Sequence, residues 1–468
     1  MAHASNSTGP RLLTPAPARR RRLGSLLVDP TPLRLDRDFR LLWTGQAITT
    51  VGRMITSVVL PYQVYVLTGD LLILGALSLV QLVPILAFAL GGGAIADAVE
   101  RRRLLLVTQL GLAASSVALV LLATLPAPPI LGIFAAAFAQ AGFGAVDQPA
   151  RASALPRLVP PERLPAAISL SQIVFNGAAV IGPALGGVLL SLTSVAACYF
   201  VDVVTFAAAI TAVLLIQPIP PHPSAVRPSL RAVKEGLRFA RRRRPVLATF
   251  IVDINAMVFG SPRSLFAPLA LDVFRVGPAG VGLMSAAAGL GGFVASILSG
   301  WTAHVRRPGL AVLVAVGFWS LGIVGFGLAT FSFPLALLFL AIAAGADVFS
   351  AVLRSSIVQL LTPDALRGRV SSIHILVVTG GPRIGDAEAS AAAALLGTQL
   401  SVVTGGLLSL VGVVLLRFAM PEFAWLDMAD ATAAAAQEEA GHEADDRAHE
   451  ARAARAASEA LRELEEVE

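Results

Sequence analysis

Gly93-Ala-Ile-Ala-Asp97-Ala-Val-Glu-Arg101-Arg102-Arg103 closes one long apolar run, and about 207 residues later Gly300-Trp-Thr-Ala-His304-Val-Arg306-Arg307 closes another. A second echo keeps nearly the same spacing: Arg151-Ala-Ser153 ahead of Leu158-Val-Pro160, then Arg354-Ser-Ser356 ahead of Leu361-Thr-Pro363. Two matches at a shared offset describe a chain of two related halves, each with charges at the same ends of its apolar segments. Membrane transporters are often built from such internal repeats.

Composition agrees with a membrane protein. Of 468 residues, 56% are hydrophobic and 14% charged, with a mean hydropathy of +0.75. Soluble domains carry about 25% charged residues. Apolar runs of spanning length recur along the chain, too long and too uniformly apolar for barrel strands, so each is read as a helix. The runs cover roughly 40–66, 71–96, 104–124, 129–148, 166–190, 195–216, 246–272, 278–302, 309–329, 333–359, 370–396 and 399–420. The expected fold is all-α and integral to the membrane, with twelve transmembrane helices in two pseudo-symmetric six-helix bundles.

Almost all positive charge is arginine, Lys234 being the only lysine. The arginines fall in short blocks in every second loop: Arg101–Arg103, Arg151/Arg157/Arg163, Arg227 to Arg244, Arg306/Arg307 and Arg367/Arg369. The intervening loops are nearly bare. The positive-inside rule puts the arginine side and both termini in the cytoplasm of a multi-pass protein of the cell inner (plasma) membrane. Scattered this way, the arginines do not form a nucleic-acid surface.

The expected divisions are an N-terminal cytoplasmic arm over 1–38, a six-helix bundle over 39–216, a linker over 217–245, a second bundle over 246–420 and a cytoplasmic tail over 421–468. The arm contains no apolar core of signal-peptide length. The tail, rich in Ala, Glu and Arg, is read as solvated. Arginines in the linker serve topology and can touch the anionic headgroups of membrane lipids. Cys198, the single cysteine, is read as a small packing residue.

The pattern Gly93-x-x-x-Asp97-x-x-x-Arg101-Arg102 resembles the loop signature of the major facilitator superfamily, although Ala98 and Glu100 stand where that family usually has a basic residue and a glycine. Ile181-Gly182-Pro183-Ala-Leu-Gly186-Gly187 resembles the Gly-Pro-x-x-Gly-Gly motif of the superfamily's proton-coupled exporters. Pro149-Ala-Arg-Ala-Ser-Ala-Leu-Pro156, Ser299-Gly-Trp-Thr-Ala-His304 and Leu361-Thr-Pro-Asp-Ala-Leu-Arg367-Gly-Arg369 are similar to the enterobactin-exporter branch, which also contains macrolide-efflux-like members. The resemblance implies that the loop locks the cytoplasmic gate, with Asp97 meeting the start of span eleven near Ser371 and the arginines binding carboxylates of the other half. Gly300, His304, Arg306 and Arg307 form a second copy, weakened by histidine in place of aspartate. Small residues and a proline in span five allow close, kinked helix packing.

Charges inside spans are the other pointers, since each costs about 2.5–3.5 kcal/mol or more at mid-bilayer unless it faces protein or water. Gln46, Thr50, Arg53 and Ser57 fall on one helical stripe. Arg53 there can attract an anionic or catecholate-like substrate, pair with a titrating carboxylate, or form a structural ion pair. Asp202, Asp253 and Asp347 are candidate proton carriers, because desolvation favours the neutral carboxyl. Asp253, deep in its span beside Asn255, ranks first, and Asp202 reads equally as a packing residue with a buried partner. Arg383 and Asp386 can neutralise each other, with Glu388 pointing nearly the opposite way. His374 is read as a packing or hydrogen-bonding residue.

No metal-ligand or phosphate-loop pattern is present, so neither cofactor nor metal is expected and energy must come from a gradient. The expected activity is not enzymatic. It is export of a small organic molecule, siderophore-like by the resemblance, in exchange for protons by alternating access in a monomer. A multidrug or macrolide efflux pump stands as the nearest alternative, and a non-transporting receptor or lipid carrier as the more distant ones.

Overall fold

The computed structural model describes residues 29–98, 100–219 and 230–427; the side chains of 89–98, 230–234, 364, 365 and 372 lie outside that description. Most of the N-terminal arm and of the C-terminal tail also falls outside it.

Twelve long segments follow in order: α1 Arg37–Thr68, α2 Leu71–Ala98, α3 Arg101–Ala123, α4 Ile130–Leu158, α5 Leu164–Leu192, α6 Val195–Leu215, α7 Arg244–Phe259, α8 Gly277–Leu298, α9 Pro308–Leu328, α10 Phe333–Leu360, α11 Asp364–Leu396 and α12 Thr398–Ala419. In lipid a backbone has no water to bond to, so apolar runs close their hydrogen bonds internally as helices. Polar side chains follow the same rule: Thr49 and Thr50 donate to the carbonyls of Gly45 and Gln46, at 2.9 and 2.7 Å.

Among the described residues, ten helices are long and apolar enough to cross a membrane. The other two, α1 and α11, are 32 and 33 residues long. They carry the polar stripe around Arg53 and the Arg383–Glu388 cluster, which lower their hydropathy. Gly69 at φ 61° ends α1 by accepting the left-handed conformation that a side chain disfavours, and its N–H donates to Tyr65 O.

Several ends differ from the sequence expectation. Span four does not stop at 148: α4 runs on to Leu158 through Pro149 and Pro156, which neighbouring helices tolerate inside a membrane helix. That extension makes Arg151 and Arg157 helical rather than loop residues. Span eleven starts earlier, at Asp364. Span seven is interrupted. α7 ends at Phe259, and after Gly260-Ser261-Pro262 the chain resumes as short helical turns, Arg263–Leu265, Phe266–Pro268 and a π turn Leu269–Val273. Pro262 has no N–H to continue the ladder.

Residues 421–427 dock onto the bundle rather than standing in solvent. Phe423 and Ala424 are buried, Arg244 pairs with Glu422 at 3.1 Å, and the Arg307 guanidinium lies 4.6 Å from the Trp425 ring.

Three apolar clusters belong to the first bundle and two to the second. The largest, in the second bundle, also takes in Val58, Tyr62, Tyr65 and Leu71 of the first. These four lie at the end of the molecule away from the termini, here the distal end. The bundles meet along α5–α8 and α2–α11. A Cβ on Gly187 would stand 2.8 Å from Gly282 Cα, and one on Gly75 would stand 2.9 Å from Ser390 Cβ. Tyr65 also donates its hydroxyl to Asp272 across the seam. The distal end is closed. Among the described residues α4 packs chiefly on α2 and α3, and α10 on α8 and α9, within their own bundles.

Candidate functional site

Among the described residues the interior carries charge in four groups. In the second bundle, Arg354 on α10 lies 2.9 Å from Asp253 Oδ1 on α7 and 3.6 Å from Asp347 Oδ1 two turns earlier on its own helix. Its Nη1 also donates to Ser350 Oγ at 3.0 Å. Asp253 and Arg354 are 2% and 4% exposed, whereas Asp347 is 25% exposed. Asp253 Oδ2 and Arg354 Nε are buried without a hydrogen-bond partner among the described residues. Two carboxylates therefore share one guanidinium, one sealed and one open. Asn255 takes no part: its amide donates to Ser409 O on α12. His374 packs beside Phe250, ring centroids 6.2 Å apart.

The first bundle has a related group. Arg151 Nε donates to Asp147 Oδ2 at 2.7 Å, one turn apart on α4. Gln109 and Thr108 on α3 donate to Asp147 Oδ1 at 2.7 and 2.9 Å. The step that carries Arg151 onto Arg354 carries Asp147 onto Ser350. Both arginines thus bond back one turn along their own helix. In the second bundle the carboxylates have moved to α7 and to the more exposed position 347.

Asp202 on α6 is fully buried and has no direct cationic partner among the described residues. It accepts hydroxyl hydrogen bonds from Thr56 on α1 at 2.9 Å and Ser116 on α3 at 2.8 Å. Gly52 permits that approach, because a Cβ there would lie 2.6 Å from Asp202 Oδ1. Arg53, exposed at the middle of α1, is within electrostatic range of Asp147 and Asp202. Gln46 lies two turns earlier on the same helix and is partly buried.

The fourth group surrounds the break in span seven. Asp386 on α11 accepts the Ser264 N–H at 3.0 Å, while Ser264 Oγ donates to Asp386 O at 2.9 Å and Ser390 Oγ to Ser264 Oγ at 3.0 Å. Asp386 thereby supplies from a neighbouring helix the cap that the restarted segment lacks in its own sequence. Among the described residues Arg383 makes no direct ion pair with Asp386, although the two charges, three residues apart, act on each other electrostatically. Glu388 is partly buried and joins none of these groups among the described residues.

The loop signature is only partly visible. Gly93 and Asp97 lie on α2, but their side chains are outside the described residues. Arg101 is buried and donates through Nε to Ser153 Oγ at 3.2 Å. Arg102 bonds the carbonyls of Val213 and Leu214 at the end of α6, and Arg103 pairs with Glu100. In the second copy, Gly300 and His304 sit on a short 3-10 turn rather than on a continuing α-helix. Arg306 there pairs with Asp427 at 3.9 Å. In the α5 motif, Gly182 and Gly186 face Met54 and Ile55 of α1, while Gly187 faces Gly282 of the other bundle. Pro183 is buried between them.

Asp147, Arg151, Arg354 and Arg263 were not singled out by the sequence as interior charges. Asp147 and Arg151 carried a signal, the one-turn spacing of opposite charges, which a span ending at 148 concealed.

Two six-helix bundles around buried guanidinium–carboxylate groups define a secondary transporter of the major facilitator superfamily, not an enzyme. Residues 30–447 match the family model described as transmembrane secretion effector, and the chain belongs to that family. The enterobactin exporter EntS of Shigella boydii serotype 4 is 26% identical over 395 residues, 84% of this chain and 94% of that protein. A bacterial homologue of the human lysosomal transporter Spinster, solved inward-facing, superposes with a TM-score of 0.65 at 15% identity, over 86% of this chain and 98% of the other. The peptide transporter POT superposes at 0.66 and 14%, over 83% and 95%.

Proposed function

We propose that the chain exports a small, siderophore-like organic molecule from the cytoplasm in exchange for protons. The observation that carries the proton coupling is Arg354 shared between Asp253 and Asp347. A proton on one carboxylate releases the guanidinium to the other, so protonation and side-chain position change together. Asp347, the more exposed of the two, takes the proton first, and Asp253 holds Arg354 when the site is empty of protons. Asp202, satisfied by hydroxyls alone, and Glu388 are secondary proton sites in this reading.

The direction follows from topology. With the arginine-rich loops and both termini in the cytoplasm of the inner (plasma) membrane, a closed distal end leaves the interior facing the cytoplasm, ready to take cargo. The loop at Gly93, Asp97, Arg101 and Arg102 locks that side in the opposite state, when Arg102 leaves the α6 carbonyls. Gly300, His304, Arg306 and Arg307 contribute less, because their helix has already ended. The halves divide at 217–245 and act as rigid bodies. Siderophore-like cargo is favoured by the 26% identity to an enterobactin exporter over most of both chains.

Reconstitution into proteoliposomes with an imposed pH gradient tests the reading. Adding a catecholate siderophore should dissipate the gradient, and Asp253→Asn should abolish the effect. Cargo movement that ignores the gradient, or coupling that survives Asp253→Asn, would overturn it.

A further inference from the structure

The break in span seven leaves two cations unused by the coupling scheme. Arg263 opens the restarted segment and is exposed, although every other residue from Gly260 to Ala270 is buried. Arg383, on α11 three residues before Asp386, is partly buried. Among the described residues neither guanidinium has an ion pair or a hydrogen bond to a side chain or carbonyl. Both act electrostatically on Asp386. That carboxylate is already committed: Ser264 N–H occupies its Oδ1 at 3.0 Å. The local balance is two positive charges against one negative.

The site is also rigid. A Cβ at Gly381 would stand 3.1 Å from Met257 Cβ, and Gly385 abuts the carbonyls of Met257 and Val258, so α11 presses directly on the last turn of α7. Gly405 of α12 abuts the Phe259 carbonyl from another side. The turn at Arg263–Leu265 also packs against α2 of the first bundle. Arg263 therefore stands where the two bundles meet, between α2, α7 and α11, and a lone charge facing hydrocarbon there would be costly. Interrupted membrane helices that line a protein interior are where transporters commonly hold ligands.

We propose that Arg263 and Arg383 form a subsite for an oxyanion group of the transported molecule, a carboxylate. The inference deepens the export reading and rests on it for the word transported. Guanidinium groups present planar, paired donors that match such oxygens. Asp386 fixes the break and limits the surplus to one positive charge. The anion supplies the missing charge and bridges α7 to α11 at the seam between bundles.

The test uses the full chain in lipid nanodiscs, with 2,3-dihydroxybenzoate as the anionic probe and 2,3-dihydroxybenzamide as its neutral counterpart, titrated calorimetrically. The benzoate should bind ~10-fold or more tightly than the amide, as charge-assisted bonds exceed neutral ones. Arg263→Gln and Arg383→Gln should each bring the benzoate down to the amide's level, and Arg383→Lys should retain part of the difference. Equal binding of the two probes, binding of neither, or wild-type benzoate affinity in both Gln variants overturns the proposal. Should Arg383→Gln fail to fold, Arg263→Gln on the exposed side chain decides. Benzoate binding is read without a pH gradient and does not depend on proton coupling, so a failed coupling scheme and a failed anion site give different results.

Discussion

Arg354 Nη2 lies 2.9 Å from Asp253 Oδ1 with both side chains sealed from solvent, while Asp347, 3.6 Å away, remains a quarter exposed. The two carboxylates are therefore not equivalent. Removing one member of a sealed pair costs about 3–5 kcal/mol when nothing else compensates the remaining charge, and here the looser contact to Asp347 offsets only part of that. The looser contact to the part-exposed Asp347 contributes less, on the order of 1 kcal/mol. Asp253→Asn should lower thermal stability strongly and Asp347→Asn only slightly, as read by unfolding of the detergent-solubilised protein. Both variants should lose proton coupling. Equal stability losses would mean that Arg354 does not distinguish its partners.

The Asp147–Arg151 pair makes a different prediction, because no second carboxylate competes for Arg151 among the described residues. Thr108 and Gln109 complete the Asp147 shell, which makes the pair a fixed strut. Asp147→Asn and Arg151→Gln should each destabilise the protein by about 3–5 kcal/mol. The double variant should recover much of that loss, since no charge is then left unpaired. A thermal double-mutant cycle measures the coupling. Additive losses would show that the two residues act separately.

The architecture was legible because hydrocarbon imposes it: run length, loop charge and the repeat together define a two-bundle helical membrane fold. The residues quoted for the superfamily resemblance, from Gly93–Arg102 to Gly182–Gly187, point to the transporter family whose model matches the chain. What stayed hidden depends on contacts between helices. Arg354 was visible only as a repeat marker, since nothing local says that Asp253, on a helix a hundred residues earlier, approaches its guanidinium. The capping of Ser264 by Asp386 was hidden for the same reason. The three-residue spacing of Arg383 and Asp386 pointed to mutual neutralisation but not to the hydrogen bond that Asp386 accepts from Ser264. Pro262 lies inside the run read as a single span over 246–272, and a proline inside an apolar run also occurs in unbroken helices such as α5.

Gly187 tests the seam. Its missing side chain lets α5 and α8 approach until a Cβ would stand 2.8 Å from Gly282 Cα and 3.0 Å from Ala279 O. Both obstacles are backbone, so no rotamer change can relieve them. Gly187→Val should cost the distally closed arrangement about 1–3 kcal/mol through overpacking, while each bundle keeps its own core. Circular dichroism should show unchanged helix content, and transport should fall. Unchanged transport would show that the seam relaxes by moving the helices apart.

The closing contact at the distal end is the hydrogen bond from the Tyr65 hydroxyl to Asp272, which joins α1 to the π turn beyond the span-seven break. Tyr65 also packs against the large cluster of the second bundle, so Tyr65→Phe keeps the ring and removes only the donor. A hydrogen bond to a charged group contributes about 1.5–3 kcal/mol. Its loss should move the closed–open balance toward the distally open state by roughly tenfold or more, at 1.4 kcal/mol per factor of ten. The sole cysteine, Cys198, is fully buried, so spin labels at Asp70→Cys and Val276→Cys report from the two sides of the seam. Their distance distribution should gain a longer component in Tyr65→Phe. The Asp272→Asn background should show most of that component already, with little further change on adding Tyr65→Phe. An unaltered distribution in Tyr65→Phe would locate the distal closure in the apolar contacts of Val58, Tyr62 and Leu71 instead.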